Sequence, residues 1–247
     1  MSMARVQIGA DEPVASSVEL ASGANLHPAS PNVVAAPDIV DRRPVADAAK
    51  RCFDVAITLG LLAPAALLFP VLALAILAES RGPVLFRQRR LGRGGEEFTI
   101  LKFRSMHTDA EAVLAADDAL YAAFRANGCK LPDGQDPRVT RVGRLLRATS
   151  LDELPQLWNV LRGDMSLVGP RPPIVEQIPE LYGPDTPFYF AVRPGLTGLW
   201  QVSGRSDLTE AQRRELDVRY VKERSFLGDL RLLLATLPAV IRQRGAH

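Results

Sequence analysis

A chain of 247 residues, 47% of them hydrophobic and 23% charged, has the length for one or two domains and enough apolar surface to bury a core, which excludes disorder throughout. Thirty Lys and Arg against 28 Asp and Glu leave a formal charge of +2, so no nucleic-acid-binding field covers the molecule, and 6% aromatics with three His disfavour base-stacking platforms and a His-rich metal centre. The two cysteines, Cys52 and Cys129, supply neither a disulfide framework nor a metal-ligand set, so a reduced, cytosol-facing chain is expected.

Residues 1–46 mix Ala, Ser, Val and Asp with Pro13, Pro28, Pro31, Pro37 and Pro44 and show no helical or strand period; a disordered tail is expected, without the basic start and apolar run of a secretory signal. The uncharged run Val55–Ala78 follows. As a straight helix it extends roughly 36 Å, against a hydrocarbon core of about 30 Å, so residues 47–81 are expected to form a membrane helix. Pro64 and Pro70 lack an N–H and crowd the carbonyls of Gly60 and Ala66, so a bend or break is expected near the bilayer centre. Arg42, Arg43, Lys50 and Arg51 precede the run and Arg81, Arg87, Arg89, Arg90 and Arg93 follow it. Basic residues favour the cytoplasmic face, so this distribution favours a re-entrant helix; a kinked single span is the alternative left open.

Residues 82–247 are expected to form a cytosolic domain. Two short strands lie around the turn Gly92–Gly95 within 82–103, Thr108 and Glu111 have the spacing of a capping box opening a helix that stops at Asn127 and Gly128, another helix follows Ser150, and two amphipathic helices fill Leu208–Arg244. The fold class is α+β, predominantly helical with little strand, in a monotopic membrane protein.

The segment Thr149–Pro172 is the richest in chemistry. Ser150 and Glu153 have capping-box spacing, and Leu151, Leu154, Trp158 and Leu161 form an apolar stripe, so a plain structural helix explains much of it. Pro155 strains a helix capped by Ser150, and a start at Asp152 removes the conflict. Either start places Asp152 in the first turn, where the helix terminus lowers a carboxylate's pKa and attracts phosphate. Adjacent acids point apart on a helix, so Asp152 suits a nucleophile and Glu153 a metal ligand or proton handler, with Asp164 as a third acid; hard oxygen ligands of this kind suit magnesium.

Lys102, Arg104, Arg138, Arg141, Arg144, Arg147, Arg171, Arg193 and Arg205 surround this segment in sequence. Solvated surface arginines are the ordinary reading. Arg171 and Arg193 adjoin proline, in Pro170-Arg171-Pro172 and Arg193-Pro194-Gly195, and a restricted backbone aims a bidentate fork suited to pyrophosphate. His107 reads as a surface or packing residue, no hydrolase triad is supported, and the glycines at 92, 94 and 95 fit a hairpin turn as well as a phosphate cradle.

From Lys50 to about Arg244 the sequence resembles the bacterial sugar transferase family, the small monotopic phosphoglycosyl transferases. The resemblance rests on Lys50-Arg51-Cys52-Phe53-Asp54, Gly82-Pro83-Val84, Phe86-Arg87-Gln88, Lys102-Phe103-Arg104-Ser105-Met106, Asp136-Pro137-Arg138-Val139-Thr140, the Ser150–Pro172 block, and Arg193-Pro194-Gly195-Leu196-Thr197-Gly198 with Gln201-Val202 and Gly204-Arg205. It implies transfer of a hexose 1-phosphate, glucose or galactose, from a UDP-sugar to undecaprenyl phosphate with release of UMP. The resemblance implies that this reaction would open exopolysaccharide synthesis at the cytoplasmic face of the bacterial inner membrane, with downstream glycosyltransferases as candidate partners. On the matching positions Asp152 would form the phosphosugar intermediate and Glu153 would assist with magnesium. Lys102, Arg104, Arg147 and Arg171 would bind phosphate, and Arg193 and Arg205 would lie near the nucleotide. The family's Ser-Pro bend is replaced here by Ala63-Pro64 and Phe69-Pro70. A non-catalytic scaffold that holds lipid headgroups is the reading from another class, and nucleic acid is not expected as a partner.

Overall fold

The computed structural model describes residues 44–126, 131, 134–174, 185–204 and 208–241. Helix α1 (Pro44–Glu79) opens them. Pro44 suits a first turn, where its missing N–H would be unbonded anyway. The helix therefore begins inside the stretch expected to be disordered, and residues 1–43 lie outside the described part. Among the described residues α1 is the helix long and apolar enough to cross a membrane. It continues through Pro64 and Pro70, so no break appears at either proline. Packing holds the turns there: Ala65 is buried in the core and the Phe69 ring lies 4.8 Å from that of Phe103. Membrane helices keep proline where neighbouring groups support the freed backbone.

One stripe of α1, including Leu62, Ala65, Leu72 and Ile76, packs on the rest of the protein, while Leu59, Leu67, Val71 and Leu74 are exposed. Both ends are clasped. Near the start, Lys50 pairs with Asp229 at 2.6 Å and Asp54 at 3.6 Å, and Ser166 Oγ donates to Asp54 at 2.7 Å. At the end, the Glu79 carboxylate accepts the backbone N–H of Arg141 and of Val142, each at 2.7 Å, and so caps α4 (Arg141–Ala148).

The expected hairpin is present as antiparallel β1 (Leu85–Leu91) and β2 (Glu97–Phe103), with Arg87 opposite Leu101. The Ala-rich helix expected from Thr108 is two helices, α2 (Ala110–Ala115) and α3 (Asp118–Ala126). The Thr108 box does not form, since α2 starts after Asp109. Asp117 accepts the N–H of Leu120 at 2.9 Å, and this competing cap restarts the helix. The expected stop at Asn127 and Gly128 lies outside the described residues.

After α4 come a 3-10 turn at Leu151–Glu153 and α5 (Gln156–Arg162), which ends where Gly163 turns left-handed at φ 94°. Strand β3 (Ser166–Val168) pairs in parallel with β4 (Gly195–Thr197), with α6 (Thr186–Ala191) between them in sequence. Here a glycine is required: a Cβ on Gly195 would stand 2.1 Å from the backbone nitrogen of Gly169. Helix α7 (Leu199–Ser203) follows, then α8 (Glu210–Glu223), opened by a formed capping box between Thr209 and Gln212, and α9 (Phe226–Ile241). Leu157, Val160, Met165, Leu167 and Val221 form the main core with Ile100 and Ala65. Leu227, Leu230, Leu234 and Leu237 leave an apolar face of α9 exposed.

Candidate active site

Between α4 and α5 the chain reverses at Ser150, whose φ of 58° lies in the left-handed region that a residue with a Cβ seldom occupies. The Ser150 side chain makes no capping bond, so the expected box with Glu153 is not formed. Instead the 3-10 turn carries Asp152 and Glu153, and Pro155 stands at the N-cap of α5, where its missing N–H breaks no bond. The turn is a short, self-contained support for two carboxylates.

Three cations converge on it from different elements. Lys102, near the end of β2, donates to Glu153 Oε1 at 2.7 Å. Arg147, in the last turn of α4, is held by a 2.9 Å bond from its Nε to Ser105 Oγ. Arg171, between its two prolines, lies over the Trp200 ring at 5.7 Å, on whose indole Arg213 also packs. The charges of Lys102, Arg147 and Arg171 all act on Asp152.

Burial pushes the Asp152 carboxyl up, the three cations pull it down, Glu153 adds repulsion, and the balance lies at about 6. This corrects the lowering expected from a helix terminus: a three-residue turn offers little dipole, and desolvation outweighs it. Burial also opposes charge on Glu153, but Lys102 and then Arg171 outweigh it, so Glu153 lies below the usual range. One of two neighbouring acids is thus held ionised by an ion pair, while the other is a poorly hydrated carboxylate.

The scaffold under these groups is a buried amide. Asn159, fully buried on α5, donates Nδ2 to Thr99 O at 2.7 Å and to Asp164 Oδ2 at 3.0 Å and accepts the Leu101 N–H at 3.1 Å. It thereby fixes β2, with Lys102, against the helix that follows Asp152 and Glu153. Beside the carboxylates, an apolar cleft of about 540 Å³ opens between α1 and the 151–162 segment, lined by Leu62, Phe69, Pro70, Leu101, Leu154 and Trp158.

Other expected site residues lie elsewhere. Arg104 is buried and donates to the carbonyls of Ser80 (2.6 Å) and Arg81 (2.7 Å), closing the end of α1. Asp164 lies beyond the C-terminus of α5, held by Asn159 and facing Arg162 at 3.5 Å. From Glu153 to Arg162 the helical rise alone is on the order of 13 Å, so the structure does not bring Asp164 to Glu153. Arg193 donates Nε–H to Gly163 O at 2.8 Å, at that same far end of α5. Arg205 lies outside the described residues.

Residues 45–243 match the family model for bacterial sugar transferases. The chain belongs to that family. The exopolysaccharide production protein ExoY of Sinorhizobium fredii is 45% identical over 210 residues, covering 83% of this chain and 91% of that protein. The UDP-glucose:undecaprenyl-phosphate glucose-1-phosphate transferase of Caulobacter vibrioides is 45% identical over 213 residues, covering 83% of this chain and 74% of that protein. The undecaprenyl-phosphate galactose phosphotransferase of Salmonella typhimurium is 42% identical over 201 residues, 80% of this chain but 41% of that longer protein.

Sequence reasoning about this sugar transferase missed Asn159, Asp217 and Tyr220. Asn159 stands inside an apolar helix, and a polar residue there was the available signal. Asp217 is buried on α8, where Tyr189 donates to it at 3.2 Å; burial pushes its carboxyl up to about 8 against that bond and the nearby Arg171 charge. Tyr220 donates to Asp229 at 2.9 Å and ties α8 to α9.

Proposed function

We propose that this enzyme transfers a hexose 1-phosphate, glucose or galactose, from a UDP-sugar to undecaprenyl phosphate as the first step of exopolysaccharide synthesis at the cytoplasmic face of the inner membrane. The observation that carries the reading is the buried Asp152 carboxylate, set beside Glu153 among Lys102, Arg147 and Arg171 and next to an apolar cleft. In the first step Asp152 attacks the phosphorus that bears the sugar, and the anhydride oxygen leaves with its electron pair on UMP. A mixed anhydride of Asp152 and the sugar phosphate remains. In the second step an oxygen of the lipid phosphate attacks the same phosphorus, the Asp152 carboxylate leaves, and the polyprenyl diphosphate sugar is released. The three cations offset the negative charge brought together in both steps. A carboxylate with a pKa of about 6 is ionised at neutral pH yet poorly hydrated, which suits a nucleophile.

Glu153 is the carboxylate that would hold magnesium, an ion often bound by one or two carboxylates together with substrate phosphates. Bound there, the ion would add charge neutralisation at the phosphoryl group. The lipid tail would lie in the apolar cleft, whose wall residues Leu101 and Leu154 directly adjoin Lys102 and Glu153 in sequence.

A re-entrant or in-plane placement of α1, with both ends on the cytoplasmic side, is part of this reading. What supports it is that both ends are tied to the same globular unit, at Lys50 and Asp54 and again at Glu79. The 36 residues of α1 extend roughly 54 Å, so a straight crossing would force these polar clasps to opposite faces of a core about 30 Å thick. The decisive experiment is Asp152→Asn, which keeps the side-chain size. With undecaprenyl phosphate and a panel of UDP-sugars, the variant should release no UMP and carry no labelled phosphosugar, while floating with membranes as the wild type does. Normal UMP release by the variant would overturn the assignment.

A further inference from the structure

At the far end of α5, away from the Asp152 turn, lies a second cationic cleft. Arg51 from α1 donates to the carbonyls of Val160 and Leu161, and Arg193 to that of Gly163, so two guanidinium groups are anchored on the last carbonyls of the helix. Arg93, from the turn between β1 and β2, lines the same cleft. A guanidinium has five N–H donors, and these bonds use two from Arg51 and one from Arg193. Among the described residues none of the three arginines has a carboxylate within ion-pair distance. The other charges in the wall are matched: Lys50 is bound by Asp229 and Asp54, and Arg224 faces Asp47 at 4.0 Å. Crowding is felt at Arg193, whose guanidinium holds its proton less firmly than usual because of burial first and then the charges of Arg93 and Arg51, which the more weakly acting Asp47 and Asp54 in the same wall only partly offset. An anion would relieve that repulsion.

Size and position narrow the anion. The cleft holds about 40 Å³, three or four waters at roughly 10–15 Å³ each, a space on the scale of one phosphate group. Arg51 and Lys50 lie about two to three turns before the exposed apolar positions Ile57, Leu59 and Leu61, and Phe53 meets Phe226, the first residue of the exposed face of α9, edge-on at 5.1 Å. The cleft thus lies where the polar surface gives way to apolar surface. We propose that Arg51, Arg93 and Arg193 form a phosphate site for the headgroup of an anionic membrane phospholipid, separate from the donor site. The site rests on membrane association and is independent of the phosphosugar chemistry.

Full-length protein in flotation assays with vesicles of phosphatidylcholine, with or without phosphatidylglycerol, tests this. The wild type should prefer the anionic vesicles. Arg93→Gln and the charge-keeping Arg193→Lys should each cut that preference about fivefold, the equivalent of about 1 kcal/mol per basic contact, with binding to phosphatidylcholine unchanged and, for Arg93→Gln, affinity for UDP unchanged. Arg89→Gln, an exposed position paired with Glu97, should leave the preference intact. Equal losses in Arg89→Gln and Arg93→Gln would reduce the effect to diffuse charge and overturn the site. A tenfold loss of UDP affinity in Arg93→Gln would hand the cleft to the donor. Thermal stabilisation of the wild type, but not of Arg93→Gln, by inorganic phosphate in detergent, without any preference for anionic vesicles, would replace the lipid by free phosphate.

Discussion

At the scale of single residues, the chemistry depends on which acid is charged at a given pH. A nucleophile must be the carboxylate, so the rate of the first step should fall about tenfold per unit as pH drops below about 6, the value to which burial raises Asp152. Lys102 is the largest of the influences that lower it, so Lys102→Met should move this acid limb to higher pH as well as slow the reaction; an unmoved limb would mean that the titrating group is not Asp152. Asp217 carries a separate signature. Its folded-state pKa of about 8 lies above the ordinary 3.8, so the folded protein holds a proton that the unfolded chain has lost across the pH window between them. Stability must then fall as pH rises through that window, the reverse of a salt-bridged carboxylate. Asp217→Asn mimics the protonated form, and it should flatten the decline of Tm between pH 5 and pH 8. At pH 8 it should raise Tm by roughly 5 °C, taking about 1–3 kcal/mol for an uncompensated buried group. An Asn variant with the same slope as wild type would place the titration elsewhere. The carboxylate pair was visible in the sequence as Asp152-Glu153, but the pKa direction was not: spacing reveals a helix start and says nothing of desolvation.

At the scale of elements, a few side chains make backbone connections between segments distant in sequence. Asn159 acts as a surrogate strand partner, satisfying the Leu101 N–H and the Thr99 carbonyl of β2 from within a helix. Asn159→Ala would orphan both groups at about 1–3 kcal/mol each and free β2 to shift relative to the 3-10 turn. Expected are a Tm lower by several degrees and a kcat loss larger than the change in KM for the UDP-sugar, since Lys102 would no longer meet Glu153. A stability loss with kcat intact would limit Asn159 to a packing role. Arg104 and Glu79 work in the same manner on α1 and α4, which explains why Arg104, read from its motif as a phosphate ligand, is spent on carbonyls. The hairpin, the two helices after Leu208 and the 24-residue apolar run were legible because period and turn chemistry are local. The parallel pair β3–β4 was not, being only three residues per strand and joined through a long intervening segment. The Thr108 box failed to form because α2 starts after Asp109, and Asp117, nine residues after Thr108, caps a second helix in the same stretch.

At the scale of the molecule, the exposed apolar surfaces of two helices are joined. The exposed stripe of α1 and the exposed face of α9 meet at the Phe53–Phe226 contact, and the carboxylates reach the same helix through the cleft at Phe69 and Pro70. A protein built this way gains by lying along a bilayer with its polar clasps in the headgroup layer. Crossing would put the Lys50–Asp229 pair and the Glu79 cap, about 44 Å apart along α1, on opposite faces and draw the polar body tied to both into hydrocarbon, where buried polar groups cost far more than the apolar area of α1 gains. Charge alone pointed the same way in the sequence, but left a kinked span open, because counting arginines cannot tell which of them are tied to one body. The test is chemical. In a cysteine-free background, Val45→Cys and Arg87→Cys place thiols at exposed sites on either side of the apolar run. Both should resist a membrane-impermeant maleimide applied to intact spheroplasts and react fully once the membrane is opened. Labelling of one of the pair in intact spheroplasts would establish a span, and the clasps at the two ends of α1 would then have to be broken in the membrane.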